Sequence, residues 1–151
     1  MSSPYPDRIF RITEPVTESN CYVIREMNRC MIIDPNDFPA IRELLQKWNM
    51  KPELVLLTHE HCDHIGGLNQ LRETYPVTVV ATQACSEGIG NKTRNMSRMM
   101  ETFLYFKSGE KTFVHYPPFQ CEKADLTFTD QLCCEFGAKE LELIRLPGHT
   151  P

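Results

Sequence analysis

Between Leu54 and Leu68 the chain reads Leu-Val-Leu-Leu-Thr-His-Glu-His-Cys-Asp-His-Ile-Gly-Gly-Leu, and three of its five histidines fall within six residues of that stretch. The four apolar residues 54–57 predict a short strand buried on both faces, followed by a polar loop at its carboxyl end. Functional groups in α/β sheets usually sit at that end. In extended chain, His59 and His61 are two apart and project to the same side, and Asp63 and His64 follow as a second pair. Two successive pairs suit two neighbouring metal ions. Imidazole favours zinc and other first-row metals, and a carboxylate supplies the negative charge that holds a second dication close to the first. The same residues also fit a metal-free polar loop whose histidines cap neighbouring helices. Gly66 and Gly67 carry no Cβ, so backbone or ligand can approach closely where the next helix begins.

Thr58-His59-Glu60-His61-Cys62-Asp63-His64-Ile65-Gly66-Gly67 resembles the signature of the metallo-β-lactamase-fold hydrolases, and Pro147-Gly148-His149-Thr150-Pro151 resembles that family's next metal-binding loop. The resemblance implies that His59, His61 and His149 bind one metal and that Asp63 and His64 contribute to a second. It also implies a catalytic part for Asp63, as a ligand and orienter of a zinc-held hydroxide that attacks a carbonyl carbon or a phosphorus. Asp34 is implied to lie near the metals as a supporting acid; read alone, Asp34-Pro35 is equally a turn before a helix. The family fold is a four-layer αββα sandwich of two similar halves. The expectation is therefore an α/β chain forming the amino-terminal half of such a sandwich, a mixed sheet with helices on one face. A complete relative continues to a bridging carboxylate and a final histidine, whereas this chain stops two residues after His149. Residues 1–151 are accordingly expected to be a partial domain lacking the carboxy-terminal half. One or two zinc ions are expected, the second under-liganded. His115 lies in no matching motif and reads as a surface or supporting residue.

Hydrophobic residues at 41% and charged residues at 24% are ordinary for a globular chain and argue against disorder. No apolar run approaches the roughly 18 residues of a membrane span, and the first residues form neither a basic start nor an apolar signal core. Seven scattered cysteines without a paired CxxC predict reduced thiols, hence a cytoplasmic setting. A net charge of −4 provides no basic footprint for nucleic acid. A small-molecule substrate is the expected partner.

Short β-rich runs at 9–13, 21–25 and 30–33 predict an antiparallel start to the sheet. A helix capped by Asn36 or Asp37, with Pro39 in its first turn, should reach about Asn49, because Phe38, Ile41, Leu44, Leu45 and Trp48 form one apolar stripe. Pro52 then leads into the motif strand. Ile65, Leu68, Leu71 and Tyr75 predict a second helix up to Pro76, and 77–81 another doubly buried strand. Residues 91–106 show Met96, Met99, Met100 and Phe103 at helical spacing, with Lys92, Arg94 and Arg98 nearby. That segment fits either a soft-walled helix over the site whose cations hold an anionic substrate, or core methionines beneath a solvated basic face. Tyr116-Pro117-Pro118-Phe119 is stiff extended chain, either a cover for the site or a connection over the sheet edge. Residues 126–129, 133–136 and 140–146 complete the strands, and Pro147-Gly148 stops the last one so that His149 stands in a loop.

The activity implied by the resemblance is hydrolysis of a small ester, thioester or lactone. The diiron oxidoreductase branch carries a glutamate where this chain has His61, which argues for zinc hydrolysis over redox chemistry. Glyoxalase II proteins add a further carboxy-terminal domain for their thiol substrate, which leaves the thioester assignment weak. The cations between Lys92 and Arg98 keep a small phosphodiester open. A reading of another class is a non-catalytic half-domain that self-associates through an exposed sheet face.

Overall fold

The computed structural model describes residues 7–151. Three antiparallel strands open it, β1 (Ile9–Thr13), β2 (Asn20–Glu26) and β3 (Arg29–Ile33), with Phe10 opposite Val23 and Tyr22 opposite Ile33. Helix α1 (Phe38–Lys47) follows. Asp37 caps it by accepting the Ala40 N–H at 3.2 Å, and Pro39 occupies the first turn, where a missing N–H costs nothing. The chain returns as β4 (Lys51–Leu56), parallel to β3, then β5 (Thr78–Thr82) and β6 (Leu126–Phe128), each parallel to its predecessor. The six strands lie in chain order, antiparallel at one edge and parallel at the other. The bounds of β1 and the ends of β2 and β3 agree with the sequence expectation to within a residue.

Strand alternation decides which side chains face the helices. Cys21, Val23, Cys30, Ile32, Val55 and Val79 are wholly buried and pack against Ile41, Leu68, Leu71 and Ile89 of the helical layer. Each fully buried branched side chain there contributes roughly 1.5–3 kcal/mol, so this layer is what holds the motif strand in place. On the opposite face, β7 (Gln131–Phe136) and β8 (Lys139–Ile144) form a separate two-stranded sheet, turning at Gly137 with φ 59°. A hollow of about 400 Å³ lies between Ile33, Leu56 and Val80 of the large sheet and Leu143 and Arg145 of the hairpin. The hairpin therefore begins a second β layer, as expected of a sandwich.

Three local expectations differ from the structure. The helix expected from Ile65 to Pro76 breaks into α2 (Cys62–Ile65) and α3 (Leu68–Thr74). The break is where the α1 entry crosses: a Cβ on Gly66 would stand 2.9 Å from the Asn36 carbonyl oxygen, and one on Gly67 2.9 Å from the Phe38 nitrogen. Second, α4 (Gln83–Ile89) was not evident from sequence. Thr82 caps it, accepting the Cys85 N–H at 3.1 Å, but an internal Gly88 weakens the helical signal. Third, the helix expected over 91–106 is confined to α5 (Met100–Lys107). The Asn91 side chain accepts the N–H groups of Thr93 and Arg94 at 2.9 and 3.0 Å, holding the first part of the segment in turns. No helix among the described residues is long and apolar enough to cross a membrane.

Candidate metal centre

β4 ends at Leu56, and the polar run that follows emerges at the carboxyl ends of the parallel strands. Thr58 is the first fixed point. Its N–H donates to Asp34 Oδ1 at 2.8 Å and its hydroxyl donates to Asp34 Oδ2 at 2.5 Å. Asp34 itself follows β3, is 4% exposed, and sits at φ 54°, a left-handed conformation that aspartate tolerates better than most residues. Having given its single proton to Asp34, the Thr58 hydroxyl can only accept from His59 Nδ1, 2.9 Å away. That interaction places the His59 proton on Nδ1 and leaves Nε2 with a free lone pair. His59 Nε2 is buried and has no hydrogen-bond partner among the described residues. Burial, aided by the charge of His64, pushes its pKa down to about 4.

Asp34 Oδ2 also receives His64 Nδ1 at 3.0 Å. Burial lowers the His64 pKa, but the hydrogen bond and charge of Asp34 outweigh it and the net shift is upward. The other ring nitrogen of His64 lies 3.7 Å from Asp63 Oδ2. His61 stands at the start of α2, and its pKa is lowered by burial and by His149. From the far end of the chain, the loop after β8 brings His149 Nε2 to 3.1 Å from His61 Nδ1. The rings of His59, His61 and His149 stand edge to face, with centroids 4.7 to 4.9 Å apart.

Two groups of potential ligand atoms result, each within 4.8 Å: His59, His61 and His149, and Asp34, His59 and His64. The first is the set expected from the sequence. The second has Asp34 where the sequence expectation put Asp63, whose carboxylate sits beside His64 instead. An unpartnered buried imidazole nitrogen next to two more that face each other is a donor set that a soft-to-borderline dication fits, because a metal would engage the His59 lone pair that nothing else satisfies. Asp34 gained its position from a contact 30 residues away in sequence, so only a turn signal was visible there.

The remaining candidates lie elsewhere. His115 is 79% exposed at the side chain and pairs with Glu101 at 3.0 Å, away from the cluster. Cys62 is buried with Met100 and Leu104 beside Tyr116, and burial pushes its thiol up to about 11, so it is a packing residue. Two residues without a sequence signal of function brace the site. Asn95, wholly buried, presents its carbonyl to the Cys62 N–H at 2.7 Å, and its side chain donates to the Phe119 carbonyl at 2.8 Å. Ser97 Oγ exchanges hydrogen bonds with the Phe119 backbone at 3.1 Å in both directions. The Tyr116–Phe119 stretch thus buttresses the 91–99 segment from behind.

The metallo-beta-lactamase superfamily model matches residues 15–151, and the chain belongs to that superfamily. It is 41% identical over 71 residues to a hydroxyacylglutathione hydrolase of Klebsiella pneumoniae, a stretch covering 46% of this chain and 28% of that protein. The BLEG-1 B3 metallo-beta-lactamase superposes with a TM-score of 0.78 at 24% identity, covering 95% of this chain and 63% of its own. A metallo-beta-lactamase of Cronobacter sakazakii gives 0.68 at 20% identity, covering 99% and 55%. The fold is that of these enzymes, and the chain spans less than two thirds of each. Hydrolases of this superfamily bind metal, and the two groups above are where this chain can do so.

Proposed function

We propose that residues 1–151 carry the metal-binding part of a zinc-dependent hydrolase that cleaves a small ester, thioester or lactone. The observation that carries this reading is the buried, unpartnered His59 Nε2 beside the facing pair His61 Nδ1 and His149 Nε2. Zinc held by these three imidazoles would supply a water of pKa about 7 and a Lewis acid for a carbonyl oxygen. The chain's own groups prepare for it. Thr58 holds the His59 proton on Nδ1, and Asp34 holds His64 Nδ1, so each imidazole keeps its Nε2 for a metal. Asp63, beside His64 at the rim, is the acid we assign to ligating and orienting the attacking water. Asp34, by holding His64 Nδ1, turns that imidazole toward a second metal position. The Klebsiella relative supports a thioester among the three substrate types. Seven unpaired thiols support a reducing, cytoplasmic setting, and the acidic charge disfavours nucleic acid as partner.

Metal content and intact mass of the same purified sample test the proposal. Retained zinc, lost on His59→Ala, is the expected result; a chain that holds no zinc at any ratio would overturn it. Self-association is the second reading, favoured by Ile144 at 58% and Leu146 at 87% exposure on the newly begun second layer. Sedimentation at micromolar concentration should then show a dimer or larger species, and a monomer throughout would dispose of it.

A further inference from the structure

We infer that the group cleaved at this centre carries a short apolar substituent, an alkyl chain or single aromatic ring, seated in the hollow between the histidines and the 96–103 segment. The inference deepens the hydrolase reading and rests on it. A hollow of about 270 Å³ is bounded on one side by His61, Asp63 and His149 and on the other by Met96, Met99 and Phe103. Those three apolar side chains are 42%, 51% and 58% exposed. Large apolar groups clustered in water beside a polar site are an unusual surface, and they mark a place where something apolar lands.

The wall is fixed relative to the histidines. Asn95 ties the segment to α2 through the Cys62 N–H at 2.7 Å, one residue from His61 and one from Met96. Met96 is held at φ 66°, a conformation rare for a long side chain, which places it at the rim. The cations of the segment do not join the wall. Lys92 and Arg98 line a different concavity with Gln120, and Arg94 is engaged with the Ala84 carbonyl at 3.0 Å and with Glu87 at 3.8 Å. An anionic tail therefore finds no lysine or arginine among the described residues of this hollow, whereas an apolar tail finds two adaptable thioethers and an aromatic face. Its volume lies just below the usual range of ligand pockets, which suits a short tail rather than a long lipid chain.

The test uses product-like carboxylates and does not depend on turnover. Protein labelled at the methionine methyls with carbon-13 is titrated with acetate and with hexanoate, with and without zinc, the Met96 and Met99 signals being assigned through Met96→Leu and Met99→Leu. Burying each methylene tightens binding about three- to four-fold. Hexanoate should bind at least about ten-fold tighter than acetate, moving the Met96 and Met99 methyls, and Phe103→Ser, folded by its methyl dispersion, should erase most of the difference. Equal affinities, or unmoved methionine signals, would overturn the inference. So would signals that shift with protein concentration and not with hexanoate, since copies of the chain would then fill the hollow. If hexanoate binds as expected while the protein holds no zinc at any ratio, the pocket stands and the hydrolase reading fails.

Discussion

The Asp34 carboxylate accepts the Nδ1–H of His64 at 3.0 Å from across 30 residues of chain, and the same oxygen takes the Thr58 hydroxyl. One buried acid thereby orients both the residue before the first histidine and the last histidine of the motif. Asp34→Asn keeps the size of the side chain and its tolerance of φ 54°, and removes the charge. Outer partners of metal-bound imidazoles typically govern about 10–100-fold in metal affinity. Zinc titration of Asp34→Asn should show a loss of that order with helical circular dichroism retained; wild-type affinity would show that the orientation of His64 is immaterial.

The two histidines outside the motif should behave oppositely. His149 faces His61 at 3.1 Å, and His115 pairs with Glu101 in solvent. His149→Ala should weaken zinc binding by at least about ten-fold, since a three-nitrogen site would fall to two. His115→Ala should leave it unchanged, because an exposed ion pair contributes about 0–1 kcal/mol and lies off the site. Competition against a chromogenic chelator measures both, and equal effects would contradict the geometry.

At Gly67, backbone packing constrains the site. A Cβ there would meet the Phe38 nitrogen at 2.9 Å and the Phe38 Cα at 3.3 Å, both part of the α1 entrance. Backbone cannot swing aside as a flexible side chain can. Gly67→Ala should therefore cost about 1–3 kcal/mol by forcing α1 and α3 apart. Urea unfolding would read this as a lower midpoint at unchanged slope.

What was legible in the sequence is what adjacent residues encode. His59, His61 and His64 could be named because they fall within six residues and follow an apolar strand, and Phe38, Ile41 and Leu45 because helical spacing repeats. Asp37 as cap and Pro39 in the first turn belong to the same class of local chemistry. Asn95 could not be read, because its value is a carbonyl offered to Cys62 and a side chain offered to Phe119, and neither pairing leaves a trace in neighbouring residues. The break at Gly66 and Gly67 was half visible. Close approach was implied by the absent Cβ atoms, but the partner, the Asn36 and Phe38 backbone, was set by tertiary packing. The methionines of 96–100 were ambiguous for the opposite reason: one helical spacing serves a core and a pocket wall equally, and only exposure separates Met99 from Met100.

The cysteines give the molecule a predictable response to alkali. Cys21, Cys30 and Cys85 are buried, and burial pushes each thiol up to about 12. In the unfolded chain they ionise near 9, the ordinary value for a thiol. Between those values the unfolded state has released protons that the folded state still holds, so stability falls as pH rises. The stabilisation is complete below pH 9 and lost as pH climbs through about 12. Thermal unfolding should accordingly show a falling midpoint above pH 9, less steep in Cys21→Ser provided that variant folds. The same burial orders reactivity, because the thiolate is the attacking form. At pH 8 a thiol-reactive disulfide should modify exposed Cys133 first, with Cys21, Cys30, Cys62, Cys85 and Cys121 reacting only on the timescale of opening. All seven cysteines should react at once in denaturant. Rapid labelling of Cys21 in the native protein would mean that the helix-side core opens far more readily than its complete burial allows.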